Sequence, residues 1–285
     1  MRILVFGATG LIGRAVTQAL VAAGHAVTAL ARSPARAHDV RAMGATPLAG
    51  DMTRPETWQA AAAASDAVVQ LAAAFGGDLA AADAAWTDGM IEAARGRHTR
   101  PRVIYTGGCW LYPARTSPAI SEADSFAPLA PFAHMVRHRD RLRGAGMEVL
   151  TLHPGLVWSA RAGCTADIRD AVARHGRVEV VGAADTLWPL VHVRDLAALY
   201  LRALHPDAPC TDVLAVTDPG VAVADIVAAA ERSSGRTAVI DVVGVEEAVR
   251  RHGSWVAGKA RSQRIEACRA RRLLGWRPER PFAAG

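Results

Sequence analysis

The chain has 285 residues, 33 Lys and Arg against 27 Asp and Glu, a formal net charge of +6 and 51% hydrophobic residues. That length holds one large α/β domain, or a domain with an appended lobe, and the apolar share supplies a sizeable core. No apolar run reaches the roughly 20 residues that span a bilayer, and no secretory-type cleavage site follows the short N-terminal apolar run, so a soluble, cytoplasmic protein is expected. Cys109, Cys164, Cys210 and Cys268 show no C-x-x-C spacing, so free thiols and no metal are expected. The positive charge is local: residues 250–285 carry ten Lys and Arg against two acids. Without interleaved aromatics this reads as a solvated basic face, with no nucleic-acid partner.

From the N-terminus, "RILVF" is an apolar run of strand length, and "GATGLIGRA" follows at once. Leu11 or Ile12, then Val16, Leu20 and Ala23, recur at helical spacing until Gly24, and "HAVTAL" is a second strand. This is a βαβ unit. Gly7 permits a tight exit from the strand, Gly10 lets the backbone approach a pyrophosphate, and Gly13 allows close helix–strand packing. The free N–H groups at the helix N-terminus, beside Thr9, Leu11 and Ile12, suit phosphates. After the second strand the chain reads "LARSPAR", with Arg32 and Ser33 where an NAD-selective site would carry an acid. A guanidinium there favours the 2′-phosphate of NADPH, with NADH a possible alternative, and Arg14 is a second candidate cation.

In this order the motifs resemble the extended or atypical short-chain dehydrogenases/reductases, the NAD-dependent epimerase/dehydratase group among them. The resemblance covers nearly the whole chain. "LAGDMTRPE" is similar to the segment whose Asp51 and Met52 flank the adenine, and "VVQLAAAFGG" to the fourth strand, with Leu71, Ala72 and Ala73 beside the cofactor. "RVIYTGG" resembles the fifth strand, and "LTLHPGLVW" the segment whose Pro154, Gly155, Leu156 and Val157 border the nicotinamide. "WPLVHVRDLAALYLRAL" and "RARRLLGWRP" are similar to later family segments. The implied fold is a doubly wound parallel Rossmann sheet: residues 1–155 bind the nucleotide, and 156–285 mainly form a smaller substrate lobe, with about 188–217 returning to the sheet.

The family's catalytic set is a Ser or Thr, a Tyr, and a Lys four residues beyond the Tyr. Here no Tyr-x-x-x-Lys exists, and the only lysine is Lys259. With Asp140 as anchor, the register of "PFAHMVRHRD" puts Phe132 and Val136 at the Tyr and Lys positions, and with Tyr112 as anchor the Ser position falls on Gly108, none able to move a proton. Thr106 and His153 are the remaining candidates, the latter at a strand end; His134 should point away. Alternatively a phenol beside the substrate carbonyl supplies the proton. Phe75, Cys109, Trp110, Tyr112, Trp158 and Trp188 are candidate substrate contacts, suited to a flat aromatic ketone. The loop from Tyr112 to Pro131 is long enough to be a lid or to wrap the surface. The missing triad resembles that of tailoring ketoreductases in polyketide antibiotic pathways, including angucyclinone reductases. The implied activity is NADPH-dependent ketoreduction by a monomer or homodimer. Rival readings are a non-catalytic NADP-binding redox sensor of the NmrA-like kind, and an isomerase or epimerase.

Overall fold

The computed structural model describes residues 1–73, 78–97 and 99–282. Its strands are β1 (Arg2–Phe6), β2 (Ala26–Ala31), β3 (Thr46–Ala49), β4 (Ala67–Gln70), β5 (Arg102–Thr106), β6 (Val149–Pro154), β7 (Leu156–Trp158), β8 (Arg177–Val181), β9 (Leu187–His192), β10 (Asp212–Ala215), β11 (Asp218–Ala222) and β12 (Val239–Val243). The helices are α1 (Leu11–Ala22), α2 (Pro34–Ala42), α3 (Gln59–Ala64), α4 (Leu79–Ala94), α5 (Ala133–Gly144), α6 (Cys164–His175), α7 (Val193–Ala203), α8 (Val223–Ser234), α9 (Val245–His252) and α10 (Cys268–Leu274).

Seven strands form one parallel sheet in the order β10-β6-β5-β4-β1-β2-β3. β4 and β6 are buried along their whole length, as strands covered on both faces must be. One face carries the apolar sides of α1 and α7, with Val16, Leu20, Leu196 and Leu199 in its core. The other carries Trp58, Trp86, Met90 and Leu142 from α3, α4, α5 and their flanks. Chain order reverses between β1 and β4, so a crevice opens beyond their C-terminal ends.

The rest of the chain builds a second layer. β11, β9 and β7 form a three-stranded sheet and β12 pairs with β8, around a core that includes Ile168, Trp188, Leu190 and Ile226. The return to the large sheet is narrower than residues 188–217. β9 stays in the small sheet, and the chain rejoins the nucleotide half only with α7 and β10. The segment from Tyr112 to Pro131 wraps the surface. Ile120 is fully buried, bridged to Ile265, and its N–H donates to the Arg264 carbonyl at 2.7 Å.

Candidate cofactor and substrate site

A cavity of about 670 Å³ occupies the crevice, within the usual range for a small-molecule site. Its floor is the glycine turn. Gly7 sits at φ +80°, and a Cβ on it would lie 2.6 Å from the Ala72 nitrogen. A Cβ on Gly13 would lie 2.0 Å from the Gly7 carbonyl oxygen, so only glycine lets α1 sit this close to β1. Gly10 differs: its Cβ would meet nothing nearer than 3.4 Å. The first turn of α1 has no side-chain cap and no acid, which leaves its N–H groups open to an anion. Thr9, Leu11 and Ile12 also line the cavity.

At one end the cavity is bordered by Arg32, Arg36, Asp51, Met52 and Thr53. Asp51 is turned into its own loop, where Oδ1 accepts from the Thr53 N–H at 2.9 Å and from its hydroxyl at 2.8 Å. Those bonds, opposed by partial burial and helped by the charges of Arg32 and Arg54, hold its carboxyl below the ordinary value. Ser33 does not line the cavity. Its Oγ caps α2 by accepting from the Arg36 N–H at 3.3 Å, which uses the group on the helix. Arg14 is likewise committed, donating to Asp39 at 2.8 Å and to the Thr9 carbonyl at 3.2 Å. Arg36, in the first turn of α2 and 3.5 Å from Asp39, is the second cation at this end.

The other end is walled by Leu71, Ala72, Ala73, Thr106, Gly107, Gly108, Cys109, Trp110, Leu111, Phe132, Met135, Pro154, Gly155, Leu156, Val157 and Cys164. No Tyr, Lys or His lines the cavity among the described residues. The rings of Phe132 and Trp110 pack at 5.6 Å. Val136 does not line the cavity and packs partly buried against the core. Thr106 donates to the Gln70 carbonyl oxygen, and the buried Tyr200 hydroxyl lies 2.7 Å from Thr106 Oγ1. With the Thr106 proton used on Gln70, Tyr200 is the donor in that second bond. Burial pushes the thiols of Cys109 and Cys164 up to about 12, so both stay protonated at neutral pH.

A family model, the NAD dependent epimerase/dehydratase family, matches residues 3–213. The chain belongs to this family. It is 28% identical over 227 residues to the 2-alkyl-3-oxoalkanoate reductase of Stenotrophomonas maltophilia, covering 74% of this chain and 68% of that one. It is also 28% identical over 172 residues to the 4-hydroxy-2-methyl-3-oxo-4-farnesyl-3,4-dihydroquinoline-1-oxide ketoreductase of Stigmatella aurantiaca, covering 56% of this chain and 51% of that one. The dTDP-glucose 4,6-dehydratase DesIV of Streptomyces venezuelae, solved with NAD bound, superposes with a TM-score of 0.81 at 17% identity, covering 100% of this chain and 94% of that one. At that identity the likeness speaks for the fold.

For this member of the epimerase/dehydratase family, several expected residues lie elsewhere. His153 is fully buried, with Nε2 3.1 Å from Asp212 and Nδ1 behind Gly107, so it does not reach the cavity. Tyr112 packs its ring at 4.9 Å on Phe126 and 5.3 Å on His153, again behind the wall. Trp188 lies in the lobe core and donates from Nε1 to the Lys259 carbonyl at 2.8 Å. Trp158 packs against His192 and Phe282. These three aromatics fill cores because the small sheet and the wrapping loop need apolar surface. Phe75 lies outside the described residues. Sequence reasoning missed Gln70, whose Oε1 accepts from the Ala72 N–H at 3.0 Å and braces the cavity wall. His134 is buried among Asp83 and His138 on α4 and α5, away from the cavity.

Proposed function

We propose that the protein is an NADPH-dependent ketoreductase that works without a protein tyrosine–lysine pair. The observation that carries this reading is the cavity itself, with open phosphate-type donors at one end and, among the described residues, an apolar, aromatic wall without Tyr, Lys or His at the other. The residues fit a dinucleotide. Gly7, Thr9, Gly10, Leu11, Ile12 and Gly13 would hold the pyrophosphate, Arg32 and Arg36 the 2′-phosphate, and Asp51 and Met52 the adenine. Leu71, Ala72, Ala73 and Pro154 to Val157 would border the nicotinamide. Bound there, the cofactor would supply a hydride to a carbonyl carbon. Trp110, Phe132 and Met135 would clamp a flat ketone and exclude water, and such positioning is worth about 7–11 kcal/mol of barrier.

The family positions of the triad are read as Gly108, Phe132 and Val136. The missing general acid forfeits about 10²–10⁴-fold. Thr106 cannot supply the proton without releasing Gln70. A substrate whose ketone neighbours a phenol carries its own donor, which fits an aromatic polyketide-type compound. The reductase names of the two relatives support ketoreduction over epimerisation, which in this family opens with abstraction of a hydroxyl proton. The test is NADPH consumption against paired aromatic ketones with and without an adjacent phenol. Turnover of the phenolic members alone is the expected result; equal turnover of both sets rules out the borrowed proton.

A further inference from the structure

The Trp110 indole lines the substrate end of the cavity, and one of its faces rests on Gly258, which does not line it. A Cβ on Gly258 would stand 2.4 Å from Cδ2 and from Cε2 of the indole and 2.6 Å from Cε3, so the glycine backbone lies flat on the bond that the two rings share. Gly258 has no positive φ, so any L-residue could adopt its backbone. What the glycine provides is close approach. Gly89 presses on Trp58 in the same way, at 2.5 Å, but Trp58 is buried in the core of the large sheet and does not line the cavity.

The backbones on both sides of this contact are anchored. Gly258 belongs to a short 3-10 helix, Ser254–Ala260, in which Val256 is buried and the Lys259 carbonyl accepts from Trp188 Nε1 at 2.8 Å. Just beyond it the buried Gln263 donates from Nε2 to the carbonyls of Cys109 at 2.9 Å and Pro113 at 3.0 Å, which staples the segment to the loop that carries Trp110. The Trp110 carbonyl accepts from the Leu129 N–H at 3.1 Å. The indole itself is held by packing: its Nε1 meets no hydrogen-bond partner among the described residues, and its neighbours include Gly258 and the Phe132 ring at 5.6 Å. The ring is therefore the part that yields when the contact is crowded.

We infer that Gly258 is a positioning residue that sets the width of the substrate end through Trp110, and that its missing Cβ is what admits a flat multi-ring ketone. A Cβ there drives the indole back by about 1 Å to reach van der Waals distance. The ring then moves off the outer lobe toward Phe132 and the cavity, and a slot walled by rings narrows for a planar molecule. The glycine turn and the Arg32 end are left as they were. The kind of ketone rests on the ketoreductase reading; the placement of Trp110 by Gly258 does not, and the two fail separately.

The experiment is equilibrium titration of the NADP⁺-loaded protein with 1-hydroxyanthraquinone, a flat ketone with a neighbouring phenol, in wild type, Gly258→Ala, Trp110→Leu and the double variant. NADPH affinity is measured on each. Gly258→Ala is expected to weaken ketone binding by at least about tenfold, as overpacking does, and to leave NADPH affinity within about twofold. In the Trp110→Leu background the same substitution is expected to cost nothing, because the surface it strikes is gone. Unchanged ketone affinity in Gly258→Ala, a loss shared equally by NADPH, a loss that persists in the Trp110→Leu background, or no saturable binding to the wild type each overturns the inference. If Gly258→Ala alone does not fold, the double variant is expected to fold, and its failure also overturns the inference. NADPH consumption is read in parallel. Ketone binding that depends on Gly258 without turnover counts against the ketoreductase and leaves the placement of Trp110 standing.

Discussion

At the scale of single residues, the cavity separates charge from chemistry. Arg32 and Arg36 gather at one end, while Phe132, proposed above to stand at the family's tyrosine position, lines the other. Arg32→Ala is expected to weaken NADPH binding by about 10–100-fold, the worth of a charge-assisted hydrogen bond, and to leave NADH binding nearly unchanged. Titration with both cofactors checks this, and equal weakening of the two would refute the role of Arg32. Phe132→Tyr adds one hydroxyl beside the Trp110 ring. If the site lacks only an acid, turnover of ketones without a neighbouring phenol should rise by about tenfold or more. A steady-state rate that does not move would mean that the alkoxide is already stabilised by another group.

At the scale of elements, the glycine turn divides into two jobs that look alike in the sequence. Gly13 is held by packing, since its Cβ would strike the Gly7 carbonyl at 2.0 Å, whereas Gly10 has room. Gly13→Ala should therefore destabilise the fold by about 1–3 kcal/mol, as overpacking does. Gly10→Ala should leave the melting temperature in place and reduce dinucleotide affinity. Thermal melts with and without NADPH separate the two, and the reverse pattern would contradict the assignment. The βαβ unit was legible because strand, glycines and helix are consecutive and their pattern is local. Arg36 was not, because its approach to the cavity depends on how α2 sits. Tyr112 and Trp188 were misread for a related reason. A large aromatic beyond a strand end can turn either to a crevice or to a core, and tertiary packing decides. The attachment of Gln263 to Cys109 joins residues 154 positions apart, which no local pattern reveals.

At the scale of the whole molecule, β6, β10 and α5 are tied together by a partly buried ion cluster. Asp212 pairs with Arg139, Arg143 and His153. Burial is the largest influence on His153 and lowers its pKa, against the pull of Asp212. Burial pushes Asp212 up, but His153 and Arg143 outweigh it and hold the carboxyl well below the ordinary range. Both folded pKa values are thus depressed, so below the unfolded values the unfolded chain binds protons that the native state refuses. Stability should be level above about pH 7, fall as the pH drops below about 6.5 through the histidine, and fall again below about 4 through the aspartate. Melting temperatures across this range check the sign, and His153→Gln should flatten the first decline. A melting temperature that rises toward pH 5 would contradict it.

The most direct measurement of the central claim follows the hydride. The protein is incubated, in separate runs, with NADPH deuterated at each face of nicotinamide C4, and with aromatic ketones bearing an adjacent phenol. The account predicts that deuterium from one face appears at the new carbinol carbon, one atom for each NADPH consumed. Tight NADPH binding with no deuterium transferred to any ketone would contradict it, and would make the protein a dinucleotide-binding sensor.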